Sequence, residues 1–170
     1  MTDYRLLNDT VKGYCDNEPA AIPLLSNVSS IIFDELEELN WAGFYLLRNK
    51  ESKKYSSVNF MDSSVNKEEY ELVVGPFQGK PACIRIPMGK GVCGTAAFCM
   101  ETQRIEDVHT FPGHIACDSA SNSEIVIPLI KEGKVYGVLD IDSPKLSRFA
   151  KEDEEGLKEL AEYINQAIVP

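Results

Sequence analysis

The chain has 170 residues, a net charge of −10, 26% charged and 44% hydrophobic residues, which describes a soluble globular protein with room for one domain and a proper core. The acidic balance argues against nucleic acid and anionic membrane surfaces as partners. No basic and apolar secretory signal follows Met1, and the longest nearly apolar run, Ile125 to Ile130, is far too short to span a bilayer.

Periodicity gives a first helix over about Asp3 to Cys15, stopped by Asn17-Glu18-Pro19. Leu24, Val28, Ile31, Ile32, Leu36 and Leu39 follow helical spacing and predict a long amphipathic helix from Ala20 to Asn40. Trp41 to Leu47 reads as a strand. Arg48 to Glu69 is polar and reads as a long surface connection. Tyr70 to Val74 is a strand closed by Gly75-Pro76, and Ala82 to Ile86 is another. Gly91 to Met100 predicts a short helix opening at a glycine-rich turn, and Arg104 to Glu106 a brief strand.

Val108 to Ser123 carries Pro, Gly, His, Asp and Ser without periodicity and reads as a long loop of the kind that carries function. Glu124 to Ile130 and Val135 to Ile141 form a hairpin around Lys131-Glu132-Gly133-Lys134. A last helix starts at Ser147 or Lys151, with Leu157, Leu160, Ala161, Ile164 and Ala167 on one face. The expected fold is α+β. An antiparallel sheet carries the N- and C-terminal helices on one face and leaves the other for the short helix, the long loop and a ligand pocket.

Two constellations carry chemistry. The first is thiol. Five cysteines, an odd number, disfavour a secreted disulfide framework and point to a reducing, cytoplasmic compartment where a disulfide is transient and catalytic. Cys15 and Cys99 fit the reading of small buried hydrophobes. Cys99 is six residues from Cys93, about 240° around a helix, so the two do not share a face. Cys93 lies near a predicted helix N-terminus, where the dipole and free N–H groups lower a thiol pKa. Cys117 lies on the long loop beside Gly113 and His114, where a lid could carry a thiol between partners.

The second constellation is acidic. Asp140 and Asp142 are two apart on a strand and point to the same face, and Glu124 begins the neighbouring strand. Apolar Val138, Leu139 and Ile141 bracket them, which is unlike a solvated sheet face. Clustered carboxylates suit the ammonium of a free amino acid. Their repulsion raises at least one pKa, giving a carboxyl able to deliver a proton. Trp41 and Tyr45, at i and i+4 of a strand, share a face.

Trp41-Ala42-Gly43-Phe44-Tyr45-Leu46, Gly75-Pro76-Phe77-Gln78-Gly79-Lys80, Gly89-Lys90-Gly91-Val92-Cys93-Gly94-Thr95-Ala96, Pro112-Gly113-His114-Ile115-Ala116-Cys117-Asp118 and Gly137-Val138-Leu139-Asp140-Ile141-Asp142 together resemble the free methionine-(R)-sulfoxide reductases. These are GAF-domain enzymes, and the resemblance runs from about Leu24 to Ile164. It implies one GAF-type catalytic domain over residues 1–170, acting on free L-methionine-(R)-sulfoxide. A thiolate attacks the sulfoxide sulfur, methionine leaves, and a second cysteine condenses with the sulfenic acid to a disulfide that thioredoxin reduces.

The resemblance favours Cys117 as attacker, with Cys83 resolving and Cys93 as contender or auxiliary thiol. Trp41 becomes a pocket wall for the substrate methyl group, with Tyr45 beside it. Backbone N–H groups of Ile115, Ala116, Cys117 and Asp118 are candidates for the substrate carboxylate. No cofactor is expected. The partners are the free sulfoxide and thioredoxin, with a homodimer left open.

Two rivals remain. A non-catalytic GAF sensor would share the fold, and turnover of free methionine sulfoxide discriminates it. A metal site would draw on His109, His114, Cys93 and Cys117, but the chain has no Cys-x-x-Cys pair and no paired-His helix spacing, so no metal is expected. Gly89-Lys90-Gly91 does not meet the phosphate-loop pattern, having Ile84 where Gly is needed and Gly91 in place of Ser or Thr.

Overall fold

The computed structural model describes residues 2–18, 20–51, 59–62, 64, 66–115 and 117–168. Among these residues four helices, α1 (Tyr4–Cys15), α2 (Ala21–Glu35), α3 (Gly91–Cys99) and α4 (Lys151–Ala167), flank a sheet of six strands. The strands are β1 (Trp41–Asn49), β2 (Tyr70–Gly79), β3 (Arg85–Pro87), β4 (Gln103–Ile105), β5 (Ser123–Lys131) and β6 (Lys134–Ser143). Their spatial order is β3-β2-β1-β6-β5-β4, with every neighbouring pair antiparallel. The α+β expectation holds.

Strand alternation divides the core into two layers. Ala42, Phe44, Ile125, Ile127, Leu139 and Ile141 face α1, α2 and α4, where Leu24, Val28, Ile32, Leu157, Leu160 and Ile164 complete one apolar cluster. Each Val, Leu, Ile or Phe side chain here contributes roughly 1.5–3 kcal/mol on burial. Trp41, Tyr45, Val126 and Val138 face the opposite way, onto Val92, Cys93, Ala96 and Ala97 of α3. Three helices thus cover one face, and α3 with the 106–122 connection covers the other. Asp153 ties the helical layer to itself: its carboxylate accepts from the Tyr4 hydroxyl at 2.6 Å and from the Ala150 N–H at 2.7 Å.

The boundaries correct the sequence reading in five places. The second helix stops at Glu35, not Asn40, because Leu36 turns extended and Glu38 takes a positive φ of 66°. This swing brings Asn40 N–H onto Asp142 carbonyl oxygen and lays Trp41 opposite Asp142. Arg48 and Asn49 belong to β1, not to the connection that follows. Much of that connection, 52–58, 63 and 65, lies outside the described residues. Beyond it, Met61 bridges Val135, and a 3₁₀ turn covers Lys67–Glu69.

The strand from Tyr70 runs through Gly75-Pro76 to Gly79. A register shift between Gly43 and Tyr45 accommodates Gly75 and Pro76, so the proline's missing N–H falls at a bulge. Finally, β3 is Arg85–Pro87, with Ala82 to Ile84 outside the ladder. The fourth strand starts one residue earlier than expected, at Gln103, and a 3₁₀ turn at Val108–Thr110 opens the long loop. Among the described residues no helix is long and apolar enough to cross a membrane.

Candidate active site

Register places the acids. Glu124 pairs with Asp142, Asp142 pairs with Trp41, and Asp140 pairs with Gly43, so all three carboxylates and the indole share the α3 face of the sheet. Gly43 has no side chain for a reason: a Cβ there would lie 2.3 Å from Phe77 Cβ. The ring of Phe77 instead stacks on Trp41 at 5.2 Å, and Tyr45 also stacks on Trp41, at 5.7 Å.

Above the acids stands α3. Its first turn carries Cys93, 4% exposed, with Sγ 3.9 Å from Glu124 Oε1. Gly91 opens the helix at a φ of +60°, and a Cβ there would press to 3.2 Å on Ile115. The glycine therefore permits both the turn and the close seat of the 106–122 loop. From that loop His114 Nε2 comes to 3.8 Å from Glu124 Oε2. Asp118 is a loop staple, accepting from Ala120 N–H at 2.9 Å and from Asn40 Nδ2 at 3.1 Å, with Lys80 4.0 Å away. Asn40 Nδ2 also donates to Ser121 Oγ at 2.9 Å.

Cys83 and Cys117 are joined in a disulfide, with Cα atoms 5.2 Å apart across 34 residues of sequence. The Tyr45 hydroxyl donates to the Cys83 carbonyl at 3.0 Å and steadies that side of the bridge. Cys93, Cys15 and Cys99 are free, and only Cys99 is exposed.

The bridge closes the site. Two small cavities remain, of about 30 Å³ and 20 Å³. Cys117, Asp118, Asp140 and Asp142 line both. Cys93, His114, Ile115, Ser121 and Glu124 line the first, and Trp41, Tyr45, Pro81 and Ala82 the second. A water needs roughly 10–15 Å³ measured this way. Each cavity is therefore of the size of a water or two and far smaller than an amino acid.

Electrostatics follow from burial. Glu124 and Asp140 are both 6% exposed. Burial pushes Asp140 up to about 6, and its hydrogen bonds with Cys93 and Glu124 oppose the rise. Burial, then the charges of Asp140 and Asp142, push Glu124 well above the carboxylate range. Asp142 rises for the same reasons, burial first and then Asp140, with a Ser121 hydrogen bond opposing. The Cys93 thiol goes up too, through burial and then the facing Asp140 and Glu124 charges. Burial, then His109, lowers His114, which is neutral at pH 7. Among the described residues, two polar atoms on these walls have no hydrogen-bond partner: Trp41 Nε1 and Asp140 Oδ1. A buried orphan of this kind costs about 1–3 kcal/mol, which a polar ligand would recover.

A GAF-domain profile matches residues 25–169. The chain is 46% identical to the free methionine-R-sulfoxide reductase of Escherichia coli over 97% of its length and 88% of that protein's. The chain belongs to the free methionine-R-sulfoxide reductase family of GAF domains. It is also 43% identical to the Saccharomyces cerevisiae enzyme of that name, over 93% of this chain and 81% of that one. Among solved structures, fRMsr of Staphylococcus aureus superposes in its reduced form with a TM-score of 0.85 at 43% identity, over 99% of this chain and 97% of that one. Its complex with substrate gives 0.84 at 42%, with the same coverage.

The fold therefore assembles Trp41, Tyr45, Cys83, Cys93, Ile115, Cys117, Asp118, Glu124, Asp140 and Asp142 around one region. Ala116 lies outside the described residues. The side chain of Asp118 is committed to Asn40 and Ala120. Sequence reasoning passed over Asn40 and Ser121. Asn40 stood inside an apparent helix, and Ser121 in a loop without periodicity, so neither carried a signal. The metal set the sequence invites does not form: His109 Nε2 bonds Asn122 Oδ1 at 3.0 Å, and Cys117 is in the bridge.

Proposed function

We propose that the protein reduces free L-methionine-(R)-sulfoxide to L-methionine, with Cys117 attacking and Cys83 resolving. The observation that carries this is the Cys83–Cys117 pair standing over a floor of three carboxylates, of which Glu124 and Asp140 are buried. Family membership, through relatives named for this reaction, supports the same reading.

The reduced Cys117 thiolate attacks the sulfoxide sulfur. The oxygen ends on Cys117 as a sulfenic acid and methionine leaves. A carboxyl that keeps its proton near neutrality delivers it to the sulfoxide oxygen, and Asp140, raised to about 6, or Glu124 suits that task. The remaining carboxylates hold the α-ammonium. Trp41 supplies an apolar ring face for the methyl group and an N–H for a polar substrate atom. Backbone N–H groups of Ile115, Cys117 and Asp118 are assigned to the carboxylate.

Cys83 then condenses with the sulfenic acid and releases water. A dithiol reductant such as thioredoxin returns both thiols by exchange. A transient bridge of this kind fits a reducing cytosol, and residues 1–170 act as one catalytic domain.

Stereospecific turnover tests the reading. The R epimer of the free amino acid should be consumed in the presence of dithiothreitol, and the S epimer and an N-acetylated peptide sulfoxide should not. Equal rates on the blocked peptide would mean that the acids do not read an ammonium.

A further inference from the structure

The buried thiol that the redox pair leaves unused stands in a ligand set. Cys93 Sγ, Glu124 and Asp140 each offer a ligand atom, all within 4.8 Å of one another. The Cys93–Glu124 separation is 3.9 Å. Tetrahedral zinc, with bonds of about 2.3 Å to sulfur and 2.0–2.2 Å to oxygen, holds such atoms roughly 3.5 Å apart. The Cys93–Glu124 pair must close by about 0.4 Å, and no pair in the group by more than about 1.3 Å, which side-chain torsions can supply. His114 Nε2 lies 3.8 Å from Glu124 Oε2 but outside this group of three, so the fourth position is left for water.

Three further observations point to a cation. Asp140 Oδ1, on a side chain only 6% exposed, has no hydrogen-bond partner among the described residues. The cavity these groups line measures about 30 Å³, the size of an ion and a water and far below that of an amino acid. The ligands stand on regular elements, Glu124 and Asp140 on paired strands and Cys93 on the helix packed over them.

We propose that Cys93, Glu124 and Asp140, with water in the fourth position, form a binding site for a thiophilic divalent cation, Zn²⁺ being the one whose ligand preferences fit. The ion displaces the thiol proton and the carboxyl protons that otherwise relieve the acidic cluster. The site exists with the Cys83–Cys117 bridge formed, since Cys93 stays a free thiol there. It also overlaps the acids assigned to the substrate ammonium. Under the proposed reductase function, the ion therefore blocks substrate, and Zn²⁺ acts as an inhibitor.

The test uses the full chain in its disulfide form, with Cys15→Ser and Cys99→Ser, so that Cys93 is the remaining thiol. Titration with Co²⁺ should give an intense near-ultraviolet thiolate-to-cobalt charge-transfer band and tetrahedral visible bands, both abolished by Zn²⁺. Asp140→Asn and Glu124→Gln should each weaken Co²⁺ binding more than about tenfold, the least expected when a ligand is lost. Absence of the thiolate band, or its persistence with unchanged affinity in both acid variants, overturns the site. None of these readouts needs turnover, so they fail or succeed separately from the reductase reading.

Discussion

Cys93 Sγ lies 3.9 Å from Glu124 Oε1, at the foot of α3. Two effects compete for its proton. A helix N-terminus favours the thiolate by at most about 2 kcal/mol, or roughly 1.5 pKa units. Burial shifts a group by up to about 3–5 units, and the facing carboxylates add to it. Burial wins, and Cys93 is held well above the ordinary thiol range. In the native disulfide form, iodoacetamide at pH 8 should therefore label exposed Cys99 and leave Cys93 until the protein unfolds. Cys93→Ser should lose less than about tenfold in kcat/KM. Rapid native alkylation of Cys93, or its loss abolishing the first turnover, would make it the attacker.

The acids lend themselves to a pH argument. Asp140 is raised from the usual 3.8 to about 6 in the fold, so the folded state binds its proton more tightly than the unfolded chain. That protonation favours folding at low pH, and the advantage is lost as pH rises from about 4 through 6. Asp140→Asn should therefore stabilise the protein more at pH 7 than at pH 4, seen as a larger Tm gain over the parent. Activity should move the other way. Asp140→Asn, Glu124→Gln and Asp142→Asn should each lose more than about tenfold in kcat/KM, since a charge-assisted hydrogen bond contributes about 1.5–3 kcal/mol. Near-normal kinetics in all three would make the cluster a mere buried curiosity of the sheet.

Much of this site was readable before the fold was known. Period-two alternation put Asp140 and Asp142 on one face, and only the pairing of β5 with β6 was needed to bring Glu124 across. The partner of Cys117 was not readable from spacing: 34 residues, including α3 and β4, separate it from Cys83, and the family likeness supplied the pair. Boundaries failed where tertiary structure overrode local signals. Leu36 and Leu39 keep helical spacing, yet the chain must unwind there for Trp41 to meet Asp142. Gly75-Pro76 reads as a strand end, yet a bulge carries the strand onward.

Trp41 Nε1 is buried without a partner among the described residues, while its ring stacks with both Tyr45 and Phe77. Trp41→Phe keeps an aromatic wall and removes the donor. If that N–H binds a substrate atom, kcat/KM should fall about three- to tenfold, matching about 0.5–1.5 kcal/mol for a neutral hydrogen bond. Circular dichroism should show an intact fold. Unchanged kinetics would leave the indole as packing alone.

The thiol roles separate in a single turnover without reductant, counting methionine released per chain. Cys117→Ser should release none, because Cys117 is the thiol that lines both cavities over the acids. Cys83→Ser should release about one, since the first chemical step needs only the attacker. It should then stall with thioredoxin, having no neighbour to turn the sulfenic acid into the bridge that a dithiol attacks. The observed pairing makes the contrast sharp: Cys83 lies 5.2 Å from Cys117 by Cα, and its carbonyl is anchored by Tyr45. Tyr45→Phe should accordingly leave the first burst intact and slow bridge formation, measured as free thiol lost with time. A full burst from Cys117→Ser with none from Cys93→Ser would reverse attacker and auxiliary while leaving the reaction class in place.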